Sequence, residues 1–213
     1  MTVSLVKAPA PEVTAPEVTP GKITLKAVDL AEALRVAALF AGTDATIPML
    51  GAVRLECNGV KLTALATDRY TAALYTTEAE GDVLFTANIP TANVRIILTT
   101  LKGAAAHTPV ELTRDGDRLT VRTFDGQVTV TLNNDDFPKL RHLIPDAHDG
   151  DGTGNVGLIG FNPAYLARLA KVATGKGRHE PARLTFTTPL KPVRVDIGEN
   201  FVGLIMPVRI GDK

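Results

Sequence analysis

The chain has 213 residues and 45% of them are hydrophobic, so it can bury the core of one large or two small domains. Its 23 basic and 23 acidic residues balance. This balance excludes a uniformly basic nucleic-acid coat but allows a basic face on a neutral body. The single cysteine, Cys57, excludes a disulfide framework and a four-thiolate metal site.

The N-terminal residues 1–21 are rich in proline and contain the near-duplicate APEVTAPEVT, so we expect an extended, disordered tail. No apolar run approaches the roughly 18 residues that a membrane span requires. The tail also lacks the apolar stretch of a secretory signal. We therefore expect a cytoplasmic protein with no membrane association.

The first of three similar units starts with KITLKAV, which alternates as a strand does. The segment DLAEALRVAALFAG then predicts an amphipathic helix, with Asp29 as N-cap, Glu32 completing a capping box and Gly42 ending it. Three strands follow, GAVRLEC, VKLTALAT and RYTAALYTT, the first two joined by an Asn-Gly hairpin turn.

The same order returns twice. DVLFTANIP precedes the helix TANVRIILTTLKG, which Thr91 is expected to cap, and TPVELTRDGDRLTVRTFDGQVTVTLN supplies three strands with two Asp-Gly turns. The third unit consists of NVGLIG, a helix with Asn162 as cap and Pro163 at its first position, and three further strands. Three such copies predict an α+β fold with helices on one face of antiparallel sheets.

A linker at residues 147–156, within PDAHDGDGTGNVG, is expected between the second and third units. Its acidic spacing imitates a calcium loop. The twelfth position counted from Asp149 is Gly160, however, where an EF-hand needs a bidentate Glu. We interpret the segment as a flexible linker, and we expect neither a metal nor another cofactor.

An enzyme is the least favoured class of function. The triplet Asp68, Arg69 and Tyr70 could supply an acid, a base and an electrostatic clamp, but neighbouring strand residues point to opposite faces. The sequence has no phosphate loop, nucleophile elbow or zinc-protease motif. We favour the interpretation that the triplet forms a corner that a protein partner binds, and that Asp68 holds the turn. The alternative is that these residues only shape the turn.

Positive charge recurs on the three predicted helices. The candidate DNA-facing residues are Arg35, Arg95, Lys102, Arg168 and Lys171. Mobile Lys and Arg side chains that contact phosphates give affinity without reading bases. The alternative interpretation is ordinary solvated helix faces.

Several segments resemble signatures of the bacterial DNA polymerase III beta subunit, the beta sliding clamp family. They are ATDRYTAA, NDDFPKLRHLIP, GLIMPVRI and the helix start GFNPAYL. The resemblance covers about Lys22 to Ile210 and implies the DNA-clamp, or processivity, fold. Residues 22–146 resemble the complete middle domain, made of two units. Residues 157–213 resemble the second half of the last domain, with the C-terminal pocket segment.

The resemblance implies a non-enzymatic processivity factor for DNA replication that tethers proteins to duplex DNA. The implied partners are double-stranded DNA bound without sequence preference, the replicative polymerase, other proteins with clamp-binding motifs, and a clamp loader. The alternative is a clamp mimic that forms no ring and binds or sequesters clamp-binding peptides without encircling DNA.

The resemblance also implies a pocket between the middle and last domains for the short apolar tail of a partner. Its lining would be Leu50, Thr67, Arg69, Tyr70, Thr71, Ala72, Pro138, Leu143, Pro192, Leu204, Ile205, Met206, Pro207, Val208 and Arg209. An aliphatic pocket of this kind suits a peptide anchored by Leu and Phe. Thr71-Ala72 replaces the family's Arg-Leu, which removes a charge and widens the wall.

Assembly is expected because the third unit has no second unit with which to complete a domain. Alone it would expose a sheet edge and half a core. We expect it to pack on residues 83–146 or to pair with the same unit of a second chain. We favour a homo-oligomer, for which a tetrameric ring is one solution.

Overall fold

A computed structural model describes residues 21–81, 84–146, 158–173 and 180–210. The expected linker and all but the last residue of the expected tail lie outside the described residues. That last residue, Gly21, is the first residue of a strand rather than part of a tail. Among the described residues, no helix has the length and apolar character needed to cross a bilayer.

The three units contain the predicted order of a helix followed by strands. The first unit comprises β1 (Gly21–Lys26), α1 (Ala27–Ala38), β2 (Ala52–Cys57), β3 (Lys61–Thr67), β4 (Thr71–Glu78) and the short β5 (Glu80–Gly81). The second comprises β6 (Phe85–Pro90), α2 (Thr91–Leu101), β7 (Pro109–Asp115), β8 (Arg118–Arg122) and β9 (Gln127–Thr131). The third comprises α3 (Pro163–Ala173), β10 (Ala182–Thr185), β11 (Val193–Ile197) and β12 (Phe201–Ile205). Two 3-10 turns cover Pro48–Gly51 and Arg141–Leu143.

The predicted cap of α1 is wrong. The helix begins directly after β1, with Lys26 as an N-cap that makes no side-chain hydrogen bond, and Asp29 lies within the first turn. The first N–H groups of the helix are satisfied from elsewhere in the fold. The Ala27 N–H donates to the carbonyl oxygen of Thr108 (2.9 Å), and the Val28 N–H donates to that of Ala106 (3.0 Å). A helix whose N–H groups find backbone acceptors needs no capping side chain.

The caps of the other two helices differ from each other. Thr91 is the first helical residue of α2 rather than its cap, since Pro90 precedes it as an N-cap without a side-chain bond. The Asn162 cap of α3 is confirmed, because its Oδ1 accepts the Ala164 N–H at 2.9 Å. Pro163 occupies the first helical position, as predicted.

The strands form two antiparallel sheets that interlock the first two units. The five-stranded sheet has the order β5-β1-β7-β8-β9, and the seven-stranded sheet has the order β10-β11-β12-β4-β3-β2-β6. Strand β1 of the first unit pairs with β7 of the second, and β6 of the second pairs with β2 of the first. Each unit therefore contributes its first strand to the sheet of the other.

The third unit joins the first. Strand β12 pairs with β4 in a register that runs from Phe201 opposite Tyr75 to Ile205 opposite Thr71. Within the chain, the strand edge of this unit is therefore paired by β4 of the first unit, while its contacts with residues 83–146 are made at Leu140, Ile144 and Pro145. Pairing with a second chain stays a prediction. The Phe201 ring lies over Gly203, where an added Cβ would come within 2.6 Å of the ring, so glycine is required there.

One large core lies between the sheets and the helices. Its buried members include apolar residues from α1, α2 and α3 together with inward-facing residues of both sheets. Strands β3, β4 and β12 alternate, so that Ala64, Ala73 and Ile205 face this core while their neighbours face the other way. The helices lie on one side of the seven-stranded sheet, and its opposite face carries a separate apolar cluster.

Candidate peptide-binding site

The separate cluster lies where the third unit joins the first. Its buried members are Leu65, Ala72, Leu74, Leu140 and Leu204, and the half-buried Phe137, Ile144 and Met206 pack against them. We call these eight residues the outer cluster. Because β12 pairs with β4, Leu204 lies opposite Ala72, and the cluster spans the junction.

Residues 137–146 cross the outer face of the sheet and cover part of the cluster. At one end the Arg54 guanidinium lies 5.9 Å from the centre of the Phe137 ring, and Arg141 donates to Glu56 of β2 at 3.0 Å. At the other end Arg194 of β11 donates to the Pro145 carbonyl oxygen at 3.1 Å. The segment is thus fastened to the sheet on both sides of the cluster.

Glu56 is the acidic residue that attaches the covering segment to β2, through its ion pairs with Arg54 and Arg141. Partial burial acts to raise the pKa of its carboxyl, but hydrogen bonds from Arg54 and Arg141 outweigh burial and hold the pKa below its ordinary value. The carboxylate therefore remains ionised at neutral pH and keeps the covering segment paired with β2.

Beside the cluster, the turn between β3 and β4 forms a corner held by Asp68. Its Oδ1 accepts the N–H of Tyr70 (3.0 Å), the N–H of Thr71 (2.7 Å) and the Thr71 hydroxyl (2.9 Å). The Thr67 hydroxyl donates to the Thr71 carbonyl at 2.8 Å and accepts the Arg69 N–H at 3.1 Å. The prediction that Asp68 holds the turn is confirmed.

Helix α3 is attached to the same corner. Arg168 donates to Asp68 Oδ2 at 2.6 Å and to the Thr71 hydroxyl at 2.8 Å. The rings of Tyr70 and Tyr165 stack with centroids 6.1 Å apart and planes 16° apart. Two units separated widely in sequence therefore meet at one set of polar and aromatic contacts.

The C-terminal segment runs past the corner. The Met206 N–H donates to the Tyr70 carbonyl oxygen at 2.8 Å, and the Val208 N–H donates to the Gly160 carbonyl oxygen at 2.8 Å. Met206 packs on the outer cluster, while the side chains of Tyr70 and Val208 are 51% and 43% exposed. Exposed apolar groups thus adjoin a buried apolar floor.

The structure brings together part of the predicted pocket lining. Ala72, Leu204 and Met206 belong to the outer cluster. The adjoining corner contains Thr67, Arg69, Tyr70 and Thr71, and the half-buried Pro207 and exposed Arg209 follow Met206 along the chain. Pro138 and the half-exposed Leu143 lie on the covering segment.

Three predicted lining residues belong neither to the outer cluster nor to the corner, the covering segment or the segment after Met206. Ile205 points to the main core, because it alternates with Leu204 along β12. Leu50 is buried in the turn before β2, and the Cβ of a residue replacing Gly42 would lie 3.0 Å from the Leu50 Cβ. Pro192 directly precedes β11 and is half-buried.

The sequence interpretation missed five members of the cluster: Leu65, Leu74, Phe137, Leu140 and Ile144. Two of them could have been found, since the alternation of β3 and β4 places Leu65 and Leu74 on the same face as Ala72. The segment FPKLRHLIP contains several apolar residues, and the sequence alone does not show which of them are buried in the cluster. That Leu140 is buried and Leu143 exposed depends on how the segment crosses the sheet.

The five candidate DNA-facing cations divide into two groups. Arg95, Lys102 and Lys171 are exposed on α2, directly after α2 and on α3, respectively. Arg35 is instead bound to Glu32 at 2.6 Å and donates to the Lys171 carbonyl oxygen, and Arg168 is bound to Asp68. The charge of Arg35 and Arg168 is thus partly neutralised by a carboxylate of the folded chain, and their role as DNA-facing residues stays a prediction.

The surface beside α1 is acidic. A cleft of about 750 Å³ lies between α1 and the end of the seven-stranded sheet. Its carboxylate-bearing lining residues are Asp29, Glu32, Glu180, Asp196 and Glu199. A polyanion is repelled by such a lining. Val172 of α3 and the basic residue Arg183 also line this cleft.

Comparison with known proteins agrees with the motifs. No family model matches the chain. The beta sliding clamp of Streptomyces coelicolor is 28% identical over 170 residues, which cover 73% of this chain and 41% of that protein. The beta sliding clamp of Micrococcus luteus is 27% identical over 175 residues, which cover 81% of this chain and 54% of that protein. The chain thus spans about half the length of these curated relatives.

Solved structures share the architecture over nearly the whole chain. The DNA polymerase III beta subunit of Thermotoga maritima matches with a TM-score of 0.76 at 15% identity, over 94% of this chain and 70% of that one. The DNA polymerase sliding clamp of Pseudomonas aeruginosa matches with a TM-score of 0.75 at 14% identity, over 95% and 70%. The protein has the α+β DNA-clamp fold. The resemblance to the bacterial beta sliding clamp family that its motifs indicate is confirmed by these relatives and folds.

Proposed function

We propose that the protein is a sliding-clamp-like processivity factor for DNA replication, which tethers a polymerase and other replication proteins to duplex DNA through an apolar peptide site. The observation that carries the proposal is the outer cluster at the junction of the first and third units. It combines an apolar floor with exposed apolar neighbours, in a fold shared with sliding clamps over 94% of the chain.

The chemistry of the site suits an apolar peptide. Large apolar side chains that remain exposed beside a buried cluster are typical of interaction surfaces. Tyr70, Leu143 and Val208 are such residues, each between 43% and 51% exposed. Exposed Arg69 and Arg209 add charge at the rim. Such a surface binds a short segment through a few buried anchors.

The first test concerns the floor of the site. Met206→Ala is expected to weaken binding of a synthetic peptide with Leu and Phe anchors by about 1–3 kcal/mol, because it removes a contact from the apolar floor. Isothermal titration calorimetry measures the affinity. Phe124→Ala is the matched control, since Phe124 is 90% exposed in the turn between β8 and β9, in the other sheet.

The control variant is expected to bind as the unaltered protein does. A second variant of the site, Leu143→Ala, examines the covering segment. If both Met206→Ala and Leu143→Ala bind the peptide with unchanged affinity, the outer cluster is not the peptide site.

The proposed contact with DNA rests on three exposed cations, Arg95 on α2, Lys102 directly after it and Lys171 on α3. Each phosphate that a cation neutralises contributes about −0.9 to the slope of log K against log salt. Replacing Arg95, Lys102 and Lys171 together by alanine should therefore make the slope shallower by up to about 2.7 for duplex DNA. Fluorescence anisotropy over a salt series measures this slope.

A charge-matched control removes three cations from the ends of strands β3 and β8 instead. It replaces the exposed residues Lys61, Arg118 and Arg122. This variant has the same net charge as the first but keeps α2 and α3 intact. Equal slopes for the two variants would show that the helices make no specific contribution to DNA binding.

A further inference from the structure

Four side chains form a row at the corner, which we call the corner stack. The stacked rings of Tyr70 and Tyr165 form its centre. The Arg69 guanidinium lies 5.9 Å from the centre of the Tyr70 ring, and the Arg168 guanidinium lies 5.3 Å from that of Tyr165. Guanidinium groups at these distances are attracted by the aromatic faces. The corner stack thus links a cation of the β3–β4 turn to α3.

The two arginines of the stack differ in how firmly they are bound. The Arg168 side chain is 27% exposed and bound to Asp68 at 2.6 Å. The Arg69 side chain is 55% exposed, and its nitrogen lies 3.9 Å from an Asp44 oxygen. Asp44 itself accepts the Thr46 N–H and hydroxyl, at 2.9 and 2.6 Å. A long, exposed ion pair contributes little, so Arg69 can exchange Asp44 for another carboxylate.

The corner stack adjoins the proposed peptide site. The Tyr70 carbonyl oxygen accepts the Met206 N–H, and Met206 packs on the outer cluster. The N–H groups of Arg69, Tyr70 and Thr71 are already bound to Thr67 and Asp68. The corner therefore offers an incoming carboxylate the Arg69 side chain rather than backbone donors.

We propose that Arg69 selects partner peptides that carry an Asp or Glu side chain next to the aromatic anchor, with Tyr70 and Tyr165 positioning the guanidinium. The proposal rests on the proposed peptide-binding function. An acidic side chain is favoured over a chain-terminal carboxylate, because capture of a chain end uses backbone N–H groups. Those groups are occupied at this corner.

Three synthetic peptides test the proposal by calorimetry with the whole protein. Two are C-terminally amidated, share Leu and Phe anchors, and carry Asp or Asn next to Phe. The third carries Asn and a free terminal carboxylate directly after Phe. The Asp peptide is expected to bind about two- to fivefold more tightly than the Asn peptide at low salt, in the range of exposed ion pairs. The preference should vanish at high salt, where exposed charges are screened.

Variants of Arg69 assign the preference to one side chain. Arg69→Gln should remove the preference for the Asp peptide, and Arg69→Lys should retain part of it. The matched control Arg118→Gln, an exposed cation on β8, should keep the preference in full. A preference that survives in Arg69→Gln would overturn the proposal.

The remaining outcomes are separable. Equal binding of the Asp and Asn peptides to the unaltered protein would overturn the Arg69 proposal and leave the peptide site standing. Tighter binding of the free-carboxylate peptide than of the Asp peptide would overturn the choice of an acidic side chain. Binding of none of the three would overturn the proposed peptide site itself.

Discussion

Phe201→Ala is expected to lower the free energy of unfolding by about 3–5 kcal/mol, the usual cost of truncating a buried aromatic side chain. Phe201 is 1% exposed at the start of β12. Its ring lies 5.6 Å from that of Phe40, beyond the end of α1. The loss of stability is expected to exceed that of an ordinary core residue, because Phe201 is also the first residue of β12 to pair with β4, and this pairing joins the third unit to the first.

Urea unfolding followed by circular dichroism measures the change. Phe201→Leu is the matched control, since it keeps an apolar side chain over Gly203 and should lose less stability than the alanine variant. If Phe201→Ala loses less than about 1 kcal/mol, far below the range for such truncations, then the ring is not a principal contact of the junction.

The order of elements was predictable from the sequence because it depends on local patterns. The alternation along β3 and β4 follows from the two-residue period of a strand. The Asn162 cap was also predictable, since its bond reaches only two residues along the chain. Local signals of this kind specify strands, turns and helix starts without reference to the rest of the fold.

The errors concern contacts between residues far apart in the sequence. Asp29 is no cap because carbonyl groups near Thr108 satisfy the first turn of α1. The ion pair of Arg168 was also not predicted, because Asp68, a hundred residues earlier, lies beside it only in the fold. Likewise, the apolar residues of FPKLRHLIP do not reveal which of them the sheet buries. Helix periodicity and motif resemblance contain no information on these pairings.

The second large loss of stability is expected from a substitution in the turn between β3 and β4. Asp68→Ala is expected to destabilise the protein by about 3 kcal/mol, since breaking a largely buried ion pair leaves the other charge without its partner. The Asp68 side chain is 12% exposed, and its carboxylate accepts four hydrogen bonds, three from the turn and one from Arg168. Peptide binding should weaken in the same variant, because Tyr70 and Met206 are positioned by this turn.

Asp68→Asn separates the turn from the ion pair, because the amide oxygen can still accept the N–H groups of Tyr70 and Thr71. It should therefore lose less stability than Asp68→Ala. Combined with Arg168→Gln in a double-mutant cycle, it should show a coupling energy of at least about 1 kcal/mol, as expected for contacting residues in one network. Asp44→Ala, which removes the long exposed ion pair of Arg69 and two local bonds from Thr46, is the control and should lose less stability than Asp68→Ala. Additive effects of the Asp68 and Arg168 changes would show that α3 is held to the corner by the stacked tyrosines rather than by the ion pair.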